Sequence, residues 1–145
     1  MDQTKLEIKV PSQSEWTDCG DSGSAEIYQC YRYITKNDAE VSILSLGIAP
    51  ELDCCLEEQC IRDAWTEMYD SFEHFEIKNI DAGIFTLRAE AKNKEVHKVS
   101  YFVQIEDDLL LESSIEIFQP NRRKKLEEKL LKEFEVFSEN CKFVQ

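Results

Sequence analysis

Glycine and proline are scarce in this 145-residue chain, four and three residues respectively, and that scarcity excludes collagen-like, linker-like and low-complexity classes. Long hydrophobic runs are missing as well. The longest, such as Val41 to Ile48, have strand length, whereas a bilayer-spanning helix needs roughly 20 apolar residues, so no membrane span is expected. The opening MDQTKLEIKV lacks the basic start and apolar middle of a secretory signal. The expected location is therefore cytoplasmic, or periplasmic if a signal was removed ahead of this numbering. Histidine occurs only at His74 and His97, each read as a surface or boundary residue. Nucleophile-elbow, phosphate-loop, zincin and dinucleotide motifs are all missing. The letters CGDSGS from Cys19 to Ser24 match those around a serine-protease nucleophile, but no histidine precedes position 74 to act as its base. Asp107 and Asp108 read as turn residues rather than a catalytic carboxylate pair. The expectation is no enzyme, no cofactor and no catalytic residue.

Positive charge is the next deficit: 17 Lys and Arg face 30 Asp and Glu, a net charge of −13. Nucleic acid and anionic membranes draw proteins mainly through basic groups, so neither is an expected partner. The acids concentrate between Glu51 and Asp81, where ten of them face only Arg62 and Lys78, a net of −8. One reading is a solvated surface that keeps the protein soluble. The other is a face that steers a basic protein partner, with Glu57, Glu58, Asp63, Glu67 and Asp70 as its contact residues. Basic residues collect only in Asn121 to Glu133, where Lys124–Glu128 and Glu128–Lys132 have the spacing of helical ion pairs.

What is present is enough for a packed core, since 42% of residues are hydrophobic and 10% aromatic. No repeat or linker divides the chain, so a single domain spanning residues 1–145 is expected. Leu6, Ile8 and Val10 alternate with polar neighbours as in a half-buried strand, and a polar loop from Pro11 to Ala25 follows. Glu26–Ile34 and Glu40–Ile48 read as a hairpin about the turn at Lys36 to Asp38. Ile61, Ala64, Trp65, Met68 and Phe72 recur at helical spacing, with Asp53 as candidate N-cap. Four further strands, Glu76–Ile80, Ile84–Lys92, Lys98–Glu106 and Leu109–Phe118, read as an antiparallel meander. Leu126, Leu130, Phe134, Phe137 and Cys141 mark a closing helix capped by Asn121. The fold class is α+β, an antiparallel sheet of about six to seven strands with two amphipathic helices in the order βββαββββα.

Six cysteines, at positions 19, 30, 54, 55, 60 and 141, could form up to three bridges. A core of this size does not require them, and their spacings do not match a structural zinc site, so no metal is expected. Cys30, Cys60 and Cys141 read as small core residues and the other three as incidental thiols. Cys54 or Cys55 at a helix start would be a candidate reactive thiolate.

The element order, the opening LEIKVPSQSEW (Leu6 to Trp16), the segment LEEQCIRDAWTEMYDSFEHFEI (Leu56 to Ile77) compared with a family helix, Gly83 at a turn and the closing FSENCKFV (Phe137 to Val144) together resemble the PsbP-like fold. That group includes photosystem accessory proteins, DcrB-type bacterial lipoproteins, a Ran-binding protein and chaperones associated with type VI secretion effectors. The resemblance implies a non-catalytic protein-binding domain, such as a bacterial immunity protein or secretion chaperone or adaptor, and the acidity of the chain suits a basic toxin or effector as partner. The alternative is a small-ligand or lipid-binding protein with a cleft between sheet and helix, lined by Trp65, Tyr69 and Phe134.

Overall fold

Period-two alternation of apolar and polar residues gives six long strands, and every pairing among them is antiparallel. The computed structural model describes residues 5–7, 16–18, 27–34, 40–48, 57–68, 72–106 and 109–144. Its elements are β1 (Lys5–Glu7), β2 (Trp16–Asp18), β3 (Ile27–Ile34), β4 (Glu40–Ile48), α1 (Glu58–Met68), β5 (His74–Ala82), β6 (Phe85–Lys92), β7 (Val96–Glu106), β8 (Leu109–Phe118), α2 (Lys124–Glu139) and β9 (Lys142–Val144). Seven strands form one sheet in the order β2-β3-β4-β8-β7-β6-β5, while β1 pairs with β9 in a separate two-stranded ribbon. The α+β class and the antiparallel sheet with two helices are as expected.

Several local features differ from the sequence reading. β2 lies within the stretch read as a polar loop, and β9 follows α2; at three residues each they are too short to show alternation, and a partner strand defines them. The segment compared with a single family helix instead divides into α1, which ends at Met68, and β5, which begins at His74. Alternation of Phe75 and Ile77 with Glu76 wins over helical spacing there. Asn121 does not cap α2. It sits in a 3-10 turn, Pro120–Arg122, and the N-cap position is Arg123, which makes no side-chain cap bond. Asp53, the turn at Lys36 to Asp38, Tyr69, Asp70, Cys19, Cys54, Cys55, Asp107 and Asp108 lie outside the described residues, as does the side chain of Met68.

The helices cover opposite faces of the sheet, because successive strand side chains point to opposite sides. Ile61, Ala64 and Trp65 of α1 pack on Leu87, Ala89 and Ala91 of β6, Phe102 of β7 and Leu110 of β8. Leu130, Phe134 and Phe137 of α2 pack on Val99 and Tyr101 of β7 and on Leu111, Ile115 and Ile117 of β8, together with Tyr31, Tyr33, Leu44 and Leu46. Trp65 and Phe134 therefore occupy separate cores and cannot line one cleft, which overturns the cleft drawn from them in the sequence. At the far edge, Trp16 donates its indole N–H to Glu133 at 2.7 Å and meets Tyr33 edge-on, which fixes β2 beside α2.

Gly83 is constrained twice. It turns β5 into β6 with φ of 62°, and a Cβ there would lie 2.8 Å from the carbonyl oxygen of Glu139. No other residue type combines that backbone with that approach of α2.

The cysteine reading needs correction: Cys30 and Cys60 are both disulfide-bonded, and only Cys141 among the described cysteines is a free, buried thiol. A large core removes the need for bridges, but whether they form depends on which sulfurs the fold brings within bonding distance. Burial pushes the Cys141 thiol up to about 11, so it remains protonated and unreactive at neutral pH.

Trp65 and Phe134 are both completely buried. Truncating either to Ala should cost roughly 3–5 kcal/mol in equilibrium denaturation; a loss below about 1 kcal/mol would contradict its place at the centre of its core.

Candidate functional site

Two surfaces carry chemistry beyond packing. The first is the exposed side of α1, which follows from its amphipathic pattern: Ile61, Ala64 and Trp65 face the sheet, and Glu57, Glu58, Asp63 and Glu67 are all exposed. The structure divides these acids. Asp63 and Glu67, four residues apart, share one stripe of the helix. Glu57 and Glu58 lie at its amino end, where the helix dipole favours negative charge. Two local contacts hold the surface: Arg62 reaches Glu58 at 3.2 Å, and Gln59 donates to Asp63 at 2.7 Å. The Arg62 guanidinium also lies 4.8 Å from the centre of the Phe75 ring, which ties this basic residue to the sheet rather than to Glu67. Asp70 lies outside the described residues.

The second surface was not foreseen. It gathers both histidines of the chain on the α2 side of the sheet. The register pairs His74 with Lys92, Glu76 with Glu90, and Lys92 in turn with His97, so these residues form neighbouring positions on β5, β6 and β7. Glu127, in the first turn of α2, completes the group from above. His97 Nδ1 lies 2.8 Å from Glu127 Oε2, and His97 Nε2 lies 2.6 Å from Glu90 Oε2. A doubly protonated ring donates to both carboxylates; a neutral ring donates to one only. Arg88 donates to Glu90 Oε1 at 3.0 Å, and Lys92 meets Glu127 at 3.3 Å. His74 Nε2 stands 3.6 Å from Glu76 Oε2, an ion-pair distance too long for a hydrogen bond.

Burial corrects the reading of His97, whose side chain is only 7% exposed, whereas His74 is exposed. The hydrogen bond from His97, opposed by partial burial and assisted by Arg88, holds the Glu90 carboxyl down at about 2. Glu90 is therefore ionised at every ordinary pH. No sequence motif marks this group, because its members come from three strands and a helix; the one local hint is His74 and Glu76 at strand spacing.

The basic start of α2 also finds its role here. Among the described residues neither Lys124–Glu128 nor Glu128–Lys132 closes as an ion pair. Instead Arg123 donates to the carbonyl of Phe118 at 2.9 Å, and Glu127 turns inward to His97 and Lys92.

On the α1 side, buried Lys98 is matched by Ser114 at 2.9 Å and by Glu116 and Glu112 at 3.6 and 3.8 Å, with its ammonium 5.0 Å from the centre of the Trp65 ring. Ser100 donates to Glu112 at 2.6 Å. Trp65 Nε1 is buried without a hydrogen-bond partner among the described residues. With its neighbours paired among themselves, this cluster reads as an internal ion network rather than a site open to ligands.

No family model matches the chain, and no curated protein matches its sequence. Its fold is similar to the crystal structure of LpqN, described as involved in cell envelope biogenesis of Mycobacterium tuberculosis. The two share 13% identity and a TM-score of 0.50 over 99% of this chain and 87% of that one. At that identity the likeness concerns the fold.

Glu90 generates a prediction about acid. Its folded pKa of about 2 lies below the roughly 4.3 of an unfolded glutamate, so its stabilisation is complete above that value and is lost as pH falls towards 2. Urea midpoints measured from pH 5 down to pH 2.5 should fall, and Glu90→Gln should flatten that dependence while lowering stability at pH 7. Equal acid slopes in the two proteins would remove Glu90 from the account.

Proposed function

We propose that this protein works by binding rather than by catalysis, and that it docks a basic protein through the acidic outer side of α1. The observation that supports this reading is the exposure of Glu57, Glu58, Asp63 and Glu67 on a helix whose other side is committed to the core. A helix anchored in this way presents its charges from a rigid support, and such charges act chiefly on the rate of encounter. The resemblance to PsbP-like proteins carries the finer reading, a bacterial immunity protein or a secretion chaperone or adaptor whose partner is a toxin or effector. A fold does not choose among these roles; the partner does.

A second feature favours an oxidising compartment. Structural disulfides persist outside the reducing cytosol, and both Cys30 and Cys60 are bonded. This supports the periplasmic alternative over the cytoplasmic one as our reading, and the cell envelope role described for LpqN is compatible with it. Protein recovered without added oxidant and denatured under non-reducing conditions should show fewer than six free thiols, and reductant should lower its melting temperature. Six free thiols would return it to the cytoplasmic reading.

The docking face is tested by reversing Glu57, Asp63 and Glu67 to Lys together, a set that leaves the Glu58–Arg62 pair in place. Exposed charges contribute little to stability, so folding should be nearly unchanged. Association with a partner captured from the native host should slow tenfold or more at low salt, and the difference should shrink as salt screens the field. Equal rates for both proteins at low salt would reduce this face to a solubilising surface.

A further inference from the structure

We propose that His74, Glu76 and Glu90 form a binding site for a divalent first-row metal ion of the zinc type, on the outer strands of the sheet. One ligand atom from each lies within 4.8 Å of the other two. A tetrahedral ion with bonds of about 2.0–2.1 Å holds its ligand atoms about 3.3 Å apart, so small side-chain rotations bring the three together. His74 and Glu76 share one side of β5 because they are two residues apart, and Glu90 stands directly opposite Glu76 on β6. One imidazole and two carboxylates suit zinc and its neighbours, with water completing the shell from the exposed side.

An independent feature of the register points to a cation. Glu76 and Glu90 are cross-strand partners, and like charges in that relation are destabilising. The nearby cations do not relieve Glu76. Arg88 is engaged on Glu90 Oε1 and Lys92 on Glu127, whereas among the described residues the Glu76 carboxylate meets only His74, at 3.6 Å.

His97 and Arg88 have a further part. Each donates to Glu90, so they fix the orientation of that carboxylate while leaving it lone pairs for an ion. Such hydrogen-bonded support is what ligating carboxylates require. The sequence argument against metal rested on cysteine spacing; this donor set contains no sulfur. The site is also separate from the acidic side of α1, so the two proposals stand or fall independently.

The test is calorimetric titration of zinc chloride into the full chain at pH 7.5, after any accessible thiols have been alkylated so that sulfur cannot compete. The native protein should take up one equivalent saturably and melt at a higher temperature when loaded. His74→Ala and Glu76→Gln should each weaken uptake by roughly tenfold or more. Without metal, Glu76→Gln should melt no lower than the native protein, because it removes the like-charge opposition, and this separates lost coordination from lost folding. Absence of saturable uptake, or equal uptake by all three proteins, would overturn the site.

Discussion

A central strand covered by a helix on each face has no solvent side, and β7 is such a strand from Val96 to Phe102. Its consecutive residues His97 and Lys98 point to opposite faces, and both are buried. An ionisable group held away from water must find opposite charge or hydrogen bonds, since the cost of an unpaired buried charge is several kcal/mol. The carboxylates nearby are arranged accordingly. Glu90 and Glu127 meet His97 on the α2 side, and Glu112 and Glu116 meet Lys98 on the α1 side. These contacts link α2 to β6 and β7, and β7 to β8, so the polar pairing reinforces the apolar packing instead of competing with it.

The same constraint explains how a protein with a net charge of −13 distributes its acids. Glutamates on the inner strands are matched by Arg88, Lys92, His97 and Lys98. Those on α1 have little basic company beyond Arg62, and they face solvent. Acidity that appears uniform in composition is thus divided between an internal ion-paired network and a solvent-exposed helix surface. Glu76 belongs to neither group. It sits on an outer strand opposite Glu90, and its charge is the least compensated of the cluster around the histidines.

Helices on opposite faces also separate the two cores of this fold. The α1 side joins the acidic surface to the core of Trp65 and Phe102, while the α2 side holds the histidines near one end of the helix. A ligand cleft shared by Trp65 and Phe134 would have to pass through the sheet.

The sequence by itself determined the long strands, both helices and their buried faces, because periodicity reports which side chains must leave water. Ile61, Trp65, Leu130 and Phe134 were legible for that reason, and so was the exposure of Asp63 and Glu67. Its local limits lay where a partner strand or a competing period decides the outcome, as at β2, β9 and the passage from α1 to β5. Tertiary structure alone decided the disulfide state of Cys30 and Cys60, the burial of His97 and the meeting of His74, Glu76 and Glu90. The burial of His97 and the histidine–glutamate cluster depend on which residues of neighbouring strands and of α2 come together, and that is set by sheet register and helix docking, neither of which a hydrophobic period encodes.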